Sequence, residues 1–587
     1  MVLPADRFVR ALLASLYQGG LRHVVIAPGS RNTPLTAALT APGSPFQTWL
    51  HLDERSASYF ALGLARQLGQ PVAVSCTSGT AAANFLSAAV EARLSRVPLI
   101  LLTADRPPEA RDVGAAQTVD QVGMYGSHVK WAADLPVAEP AAIEELVRYA
   151  RSAGARAAAV ALETPAGPVH LNVPFREPLI EAGDAPFDAG EVPAARASSG
   201  QTLPDPATVE RLARMLIRRR GLIVAGPEDN LPVEAVARLA AALHWPIVAD
   251  PLSGMRAGLH DQSNVIDCVD ALVREPAFAA AAVPEVVIRF GASPTCKPFN
   301  TWLAGLGQVH RIVVDAASAA TGGWRDPDLQ ADEAIASDVA PFCEALIDAI
   351  NPERVTTFEW PSLWRDANAA ARAAMREAIA ALDEPFEGRA VIDLADALPD
   401  GATLVAGNSM PVRDIDSFFF NTPKRIRIVG TRGASGIDGV VSTAVGAAAA
   451  GDGPVALLIG DLSFLHDLNG LWPVGRYNLD LTVVLVNNNG GGIFSFLPQR
   501  NATPSRFDAW WGTPHGLDLS HAVALHRGHH TLLEAGPASD LISNAMTSPG
   551  LDVLELRTDR DRNVELHQQV WRRAADAVRD VVAAVRA

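Results

Sequence analysis

Val455-Ala456-Leu457-Leu458-Ile459-Gly460-Asp461-Leu462-Ser463 and Leu481-Thr482-Val483-Val484-Leu485-Val486-Asn487-Asn488-Asn489-Gly490-Gly491 decide how this chain folds. Each begins with an apolar run of the length of a buried parallel strand, and the roughly 20 residues between them suit one crossover helix. Asp461 and Asn488 are therefore expected at the same carboxyl edge of one sheet, where open α/β sheets bind ligands. A carboxylate, a side-chain amide and the backbone carbonyl of Gly490 make a hard, all-oxygen donor set. Such a set suits Mg²⁺ held by few protein ligands and completed by phosphate oxygens. The glycines let the backbone approach a diphosphate closely. Taken singly, Asp461 also reads as an ordinary loop aspartate, and the asparagines as a polar turn.

The chain has 587 residues, too many for one hydrophobic core, so about two to four domains are expected. Hydrophobic residues make up 49% and charged residues 19%, as in a compact globular protein. A net charge of -16 argues against a nucleic-acid partner, since no Lys/Arg excess is available to displace counterions. Arg218-Arg219-Arg220 is the one short basic cluster and reads as a solvated helix end. Cys76, Cys268, Cys296 and Cys343 are scattered and form no CxxC pair, which points to reduced thiols and a cytoplasmic location. Asp6, Arg7 and Arg10 interrupt the N-terminal apolar pattern, so no signal peptide is read there. No apolar run reaches about 18 residues, so no membrane span is expected.

In chain order, residues 4–20 read as a helix, with Phe8, Leu12, Leu13 and Leu16 at helical spacing and Gly19-Gly20 as its stop. His23 to Ile26 reads as a strand. The turn Ala27-Pro28-Gly29-Ser30-Arg31 after it sets Ser30 and Arg31 near a helix N-terminus, where anions are favoured. His51-Leu52-Asp53-Glu54-Arg55-Ser56 opens a helix of small residues over 57–68; Glu54 there is either a dipole-complementing surface residue or a functional carboxylate. Similar strand-to-helix junctions carry Thr77 after Val72-Ala73-Val74 and Arg106 after Leu99-Ile100-Leu101-Leu102. Gln117 lies in a Gly-punctuated loop, and 168–174 reads as a closing strand. Residues 1–180 thus form one expected parallel-sheet domain, followed by an Ala/Gly/Pro/Ser-rich linker at 181–206.

Leu222 to Val224, Pro246 to Val248, Val286 to Ile288 and Ile312 to Val314 mark a central α/β domain at 207–350 without a GxGxxG fingerprint. A helical connector at 351–385 leads to a third series at 386–587. Its strands are Thr403 to Ala406, Ile426 to Val429, Val455 to Ile459, Leu481 to Val486 and Leu551 to Leu556. The expected fold class is α/β, with three doubly wound parallel-sheet domains.

Gly460-Asp461, followed at this interval by Asn487-Asn488, resembles the diphosphate-binding motif of the thiamine diphosphate (ThDP)-dependent enzymes, and Glu54 strengthens the likeness. In that family ThDP lies between a pyrimidine-binding domain of one subunit and a diphosphate-binding domain of another, and a glutamate contacts the aminopyrimidine N1′. Further strings resemble one branch of the family more closely. They are Ala27-Pro28-Gly29-Ser30-Arg31, Thr77-Ser78-Gly79-Thr80-Ala81, Leu102-Thr103-Ala104-Asp105-Arg106-Pro107-Pro108-Glu109 and Gly407-Asn408-Ser409 with Arg413. Arg432-Gly433-Ala434-Ser435-Gly436-Ile437-Asp438-Gly439 and Asn487-Asn488-Asn489-Gly490-Gly491 with Ile493-Phe494-Ser495 complete them. That branch is a transferase of menaquinone biosynthesis. It decarboxylates 2-oxoglutarate and adds the remainder to isochorismate in a Stetter-like 1,4-addition.

The resemblance implies roles for individual residues. Glu54 would be the N1′ partner, and Asp461, Asn488 and the Gly490 carbonyl would hold Mg²⁺ or Mn²⁺. Ile437 would be the apolar wedge bending the cofactor. Thr77, Asn408, Leu462, Ser463, Gly491, Ile493 and Phe494 would line the cofactor, with Ser409 beside both cofactor and substrate. Ser30, Arg31, Arg106, Gln117, Lys297, Arg413 and Arg432 would bind the substrates, both dianions that suit the bidentate arginine fork. The family tends to carry Lys-Arg where this chain has Lys297-Pro298, one positive charge fewer. A homodimer or a dimer of dimers is implied, with active sites between subunits. Two alternatives stay open. An acetohydroxyacid synthase-like decarboxylase or carboligase would share Glu54, Asp461 and Asn488 but lack the Arg106, Arg413 and Arg432 set. A ThDP-binding scaffold without catalysis would have no use for Glu54.

Overall fold

The computed structural model describes residues 3–180, 186–187, 195–318, 323–350, 355 and 360–586. Most of 181–194 in the expected linker, and most of 351–359 in the expected connector, lie outside the described residues. The chain divides into two compact units. One comprises Met1–Gly200, Thr431–Asp452 and His466–Leu479; the other comprises Gln201–Gly430, Gly453–Leu465 and Asp480–Ala587.

The first unit holds a six-stranded parallel sheet of β1 (His23–Ile26), β2 (Gln47–Leu50), β3 (Val72–Cys76), β4 (Leu99–Asp105), β5 (Trp131–Asp134) and β6 (Val169–Pro174). Its order is β2-β1-β3-β4-β6-β5. The central strands β3, β4 and β6 are buried along their whole length, as expected where helices cover both faces. The helix Glu54–Leu68 starts three residues earlier than its apolar pattern, because the Asp53 carboxylate accepts from the Arg55 and Ser56 amides. Gly69 ends it in the left-handed conformation, at φ 63°. In the same unit this helix packs on the helix Val440–Ala449. A Cβ on Gly63 would lie 2.0 Å from the Thr443 carbonyl oxygen, and one on Gly446 2.1 Å from that of Phe60.

The second unit holds two such sheets. The central one contains β7 (Gly221–Ala225), β8 (Ile247–Ala249), β9 (Val265–Ile266), β10 (Val286–Phe290), β11 (His310–Val314) and β12 (Glu333–Ile335), in the order β12-β11-β10-β7-β8-β9. The last contains β13 (Thr403–Ala406), β14 (Arg427–Gly430), β15 (Val455–Gly460), β16 (Leu481–Asn487), β17 (His529–Leu533) and β18 (Leu551–Arg557). Its order, β14-β13-β15-β16-β18-β17, repeats that of the first sheet strand for strand, whereas the central sheet has a different winding. In both repeats the chain reverses direction across the sheet between the first and third strands, β1/β3 and β13/β15. The crevice at that reversal is where doubly wound sheets bind ligands.

The sequence reading finds the inner strands and misses five of the six edge strands: β2, β5, β9, β12 and β17. These are short or half-exposed, with polar residues such as His529, His530 and Thr531 in β17, so they lack a continuous apolar run.

His51, just past β2, is 1% exposed, and its ring centroid is 4.5 Å from that of Phe60. Burial lowers its pKa to about 3. An unfolded histidine titrates near 6.5, so between these values the unfolded chain binds the extra proton, and His51 costs stability as pH falls. Replacing His51 with Phe should make the chain lose about 2 kcal/mol less stability than wild type between about pH 7 and 5, read from urea unfolding. Parallel losses in the two proteins would contradict a neutral, buried His51.

Candidate active site

In the second unit, β15 and β16 are neighbours with Gly460 opposite Val486, so Asp461 and Asn488 leave one sheet edge together. Asp461 is 1% exposed. Its Oδ1 accepts from the Leu462 amide at 2.6 Å; its Oδ2 accepts from the Gly490 amide at 2.8 Å and lies 3.2 Å from His515 Nε2. Burial raises the Asp461 pKa, while these donors pull it down. Asn488 donates through Nδ2 to Glu387 Oε1 at 3.1 Å, and its buried Oδ1 has no hydrogen-bond partner. An orphaned buried oxygen costs about 1–3 kcal/mol, which makes it a natural ligand for a hard cation beside a carboxylate. The residues present thus fit a divalent ion carrying a diphosphate.

The turn after Asn488 is built on glycine. Gly490 has φ 140°, and a Cβ there would lie 1.9 Å from the Gly512 carbonyl oxygen. Its own carbonyl accepts from the Gly492 amide at 3.0 Å, which leaves a second lone pair. The Gly491 amide donates to the Gly512 carbonyl at 2.7 Å. Arg560 straps the turn, donating to the Asn489 carbonyl at 2.6 Å and the Gly512 carbonyl at 2.9 Å. Leu462 and the buried Ser463 continue into the short helix Asp461–His466, while Ile493 and Phe494 sit on the 3₁₀ turn Gly492–Phe496.

Asn408 and Ser409 follow β13, the other neighbour of β15. Asn408 is buried, and Ser409 holds φ at 72°, a conformation rare for a side-chain-bearing residue and a mark of functional sites. The Arg413 guanidinium donates back to the Ser409 carbonyl. Arg413, Lys297, Met410 and Ile493 open onto a cleft of about 1510 Å³. Lys297 is exposed at the start of the helix Lys297–Ala304; Pro298 beside it supplies no charge.

In the first unit, Ser30 and Arg31 follow β1, Thr77 follows β3, and Arg106 follows β4, all at one carboxyl edge. The Arg31 amide donates to Thr77 Oγ1 at 3.2 Å, and its guanidinium donates to the Phe175 carbonyl at 3.1 Å. The Arg31 side chain is 8% exposed, and its Nε is buried without a partner. Burial, then the nearby Arg106 cation, lower its pKa. The Glu177 carboxylate, 3.3 Å from Arg31 Nη2, pulls the other way. Glu54 opens its helix near the end of β3, where burial first and then the Glu54 charge push the Cys76 thiol up. Gln117, at φ 56°, spends its amide on the Ser78 carbonyl at 3.0 Å.

Arg432 and Ile437 lie on the loop before the helix Val440–Ala449, within this first unit. Glu91, 1% exposed, accepts from the Gly433 amide at 3.0 Å and the Ala434 amide at 2.7 Å. Tyr59, on the Glu54 helix, donates to Asp438 Oδ2 at 2.8 Å. Ile437 itself is 38% exposed.

Sequence reasoning missed Glu91, Glu387, His515 and Arg560. Each is distant in sequence from its partner, and Glu387 at the start of a helix reads as a surface glutamate. Glu91→Ala should accelerate hydrogen exchange at Gly433 and Ala434 at least tenfold and cost about 2 kcal/mol in urea unfolding. Unchanged exchange would remove Glu91 as the anchor of that loop.

Three family models match the chain. They are the thiamine pyrophosphate enzyme N-terminal TPP binding domain at 6–124, the middle domain of thiamine pyrophosphate enzymes at 198–404, and the C-terminal TPP binding domain at 417–529. Among curated relatives, 2-succinyl-5-enolpyruvyl-6-hydroxy-3-cyclohexene-1-carboxylate synthase of Geobacillus thermodenitrificans is 46% identical over 580 residues, covering 97% of this chain and 96% of that one. The synthase of the same name from Chloroflexus aurantiacus is 44% identical over 578 residues, with the same coverage of 97% and 96%. Among solved structures, benzoylformate decarboxylase from Polynucleobacter necessarius superposes with a TM-score of 0.69 at 20% identity, over 95% of this chain and 98% of that one. A putative thiamin diphosphate-dependent enzyme from Mycobacterium smegmatis gives a TM-score of 0.67 at 21% identity, over 94% and 99%. At these identities the two structures speak for the fold alone.

Proposed function

Because the chain belongs to the thiamine diphosphate-dependent enzymes and, within them, to the 2-succinyl-5-enolpyruvyl-6-hydroxy-3-cyclohexene-1-carboxylate (SEPHCHC) synthases, we propose that it is the transferase of menaquinone biosynthesis that joins decarboxylated 2-oxoglutarate to isochorismate. The observation that carries the cofactor reading is the unpartnered Asn488 oxygen beside Asp461 at one sheet edge. Kinship over nearly the whole length narrows the substrates. Bound ThDP supplies the nucleophilic carbon and the electron sink that let CO₂ leave.

The chain's own residues do the rest. Asp461, Asn488 and the Gly490 carbonyl hold Mg²⁺ or Mn²⁺ and, through it, the diphosphate. Leu462, Ser463 and Gly491 shape the wall beside it. Glu54 holds a proton at the pyrimidine N1′, with Thr77 nearby, and Ile437, Ile493, Phe494 and Asn408 supply packing around the rings. Arg31 and Arg106 form a paired cation site for a substrate carboxylate, with Ser30 and Gln117 at its border. Arg413, Lys297 and Arg432 bind the remaining carboxylates, and Ser409 orients a reacting oxygen. Glu54 of one subunit would act with Asp461 of a second, so the working unit is a homodimer or a dimer of dimers.

Domain limits at 1–180, 207–350 and 386–587 serve this arrangement, each enclosing one sheet. No described helix is long and apolar enough to cross a membrane, and we place the enzyme in the cytoplasm, where its four cysteines, all buried and unpaired, stay reduced.

With ThDP and Mg²⁺ present, the protein should consume isochorismate only when 2-oxoglutarate is supplied, with product mass confirming the adduct. Condensation of two pyruvates without isochorismate use would favour the acetohydroxyacid synthase-like alternative. Arg413→Ala should raise the KM for one dianionic substrate at least tenfold, with ThDP affinity kept within about twofold. An equal loss of ThDP affinity would take Arg413 out of the substrate set.

A further inference from the structure

Glu387 opens the helix Glu387–Ala397 and is 1% exposed. Its Oε1 accepts two hydrogen bonds, from Asn488 Nδ2 at 3.1 Å and from Thr558 Oγ1 at 2.9 Å. Its Oε2 is buried without a partner. The reach of Glu387 toward the cation site runs through the Asn488 amide.

We propose that Glu387 is a positioning residue for the cation site, acting by fixing which end of the Asn488 amide faces it. The inference rests on the reading of Asp461 and Asn488 as cation ligands. A carboxamide has two ends of nearly the same shape, one donating and one accepting, and only hydrogen bonding decides which way it turns. Oε1 of Glu387 is an acceptor, so it selects the amide nitrogen and leaves Oδ1, the cation-binding end, unspent. That selection holds whichever way Oε2 is protonated, because Oε1 already takes both donors. The Thr558 hydroxyl on the same oxygen keeps the glutamate from swinging away. With glutamine at 387, the side chain can turn its own NH₂ toward Asn488, draw Oδ1 to itself and present a donor to the cation. A ligand held by an outer partner in this way is worth about 10- to 100-fold in metal affinity.

The test is titration of the full-length protein with Mn²⁺ in the presence of ThDP, following free Mn²⁺ by electron paramagnetic resonance, with thermal unfolding of each metal-free variant alongside. Saturable binding by wild type that Asp461→Ala abolishes establishes the cation site itself; failure there sinks the underlying reading rather than this inference. Given that site, Glu387→Gln should weaken Mn²⁺ binding about 10- to 100-fold, and Thr558→Val should weaken it more than twofold. A Glu387→Gln protein that melts earlier yet binds Mn²⁺ within twofold of wild type would overturn the proposal, since a purely structural role predicts that result. If Glu387→Gln does not fold, Thr558→Val decides alone: a loss beyond twofold supports the proposal and a smaller one overturns it.

Discussion

Parallel pairing of β15 with β16 is the constraint on which the site depends. The register that sets Gly460 opposite Val486 delivers a carboxylate and a carboxamide to the same edge. Both strands are apolar and buried, and a slip of one residue would undo the alignment that brings Asp461 and Asn488 out of the sheet together. Beyond the strands the chain must turn at once, and the Gly490 conformation, closed against Gly512, allows no side chain. Position comes from the sheet and shape from the glycine turn. The same economy operates in the first sheet, where β1, β3 and β4 deliver Arg31, Thr77 and Arg106 to one edge.

Charge is distributed against the average. The chain carries a net charge of -16, yet the carboxyl edge of the first sheet carries both Arg31 and Arg106. Arg31 is held almost out of water with Arg106 nearby, and the Glu177 carboxylate 3.3 Å from its guanidinium offsets part of that cost. On the other unit's site the balance reverses: Asp461 and Glu387 are buried carboxylates, and burial raises the pKa of both, that of Glu387 to about 7. Hydrogen-bond donors at both offset part of that cost.

Much of this was legible in the sequence, for identifiable reasons. Inner strands announced themselves because parallel sheets covered on both faces need unbroken apolar runs, and Val455 to Ile459 and Leu481 to Val486 are such runs. Asp461 and Asn488 stood out because their spacing matched one crossover. Edge strands such as His529–Leu533 did not, since one side faces solvent and polar residues are tolerated there. The supporting residues were also hidden. Glu387 reaches Asn488, and Glu91 reaches Gly433, only through tertiary packing, and neither spacing carries a period that a single sequence displays. The repeated strand order of the first and last sheets was likewise invisible, because topology survives where residue identity does not.

The central claim is that Glu54 and Asp461 are halves of one catalytic centre contributed by two copies of the chain. Mixing tests it. Glu54→Gln and Asp461→Ala proteins, each inactive alone, are dissociated, combined and reassembled, and SEPHCHC formation is measured while native mass spectrometry counts the mixed dimers. Random pairing of two-site dimers should restore roughly a quarter of wild-type activity, because each mixed dimer regains one intact site. Mixed dimers that form in full yet remain inactive would contradict the account.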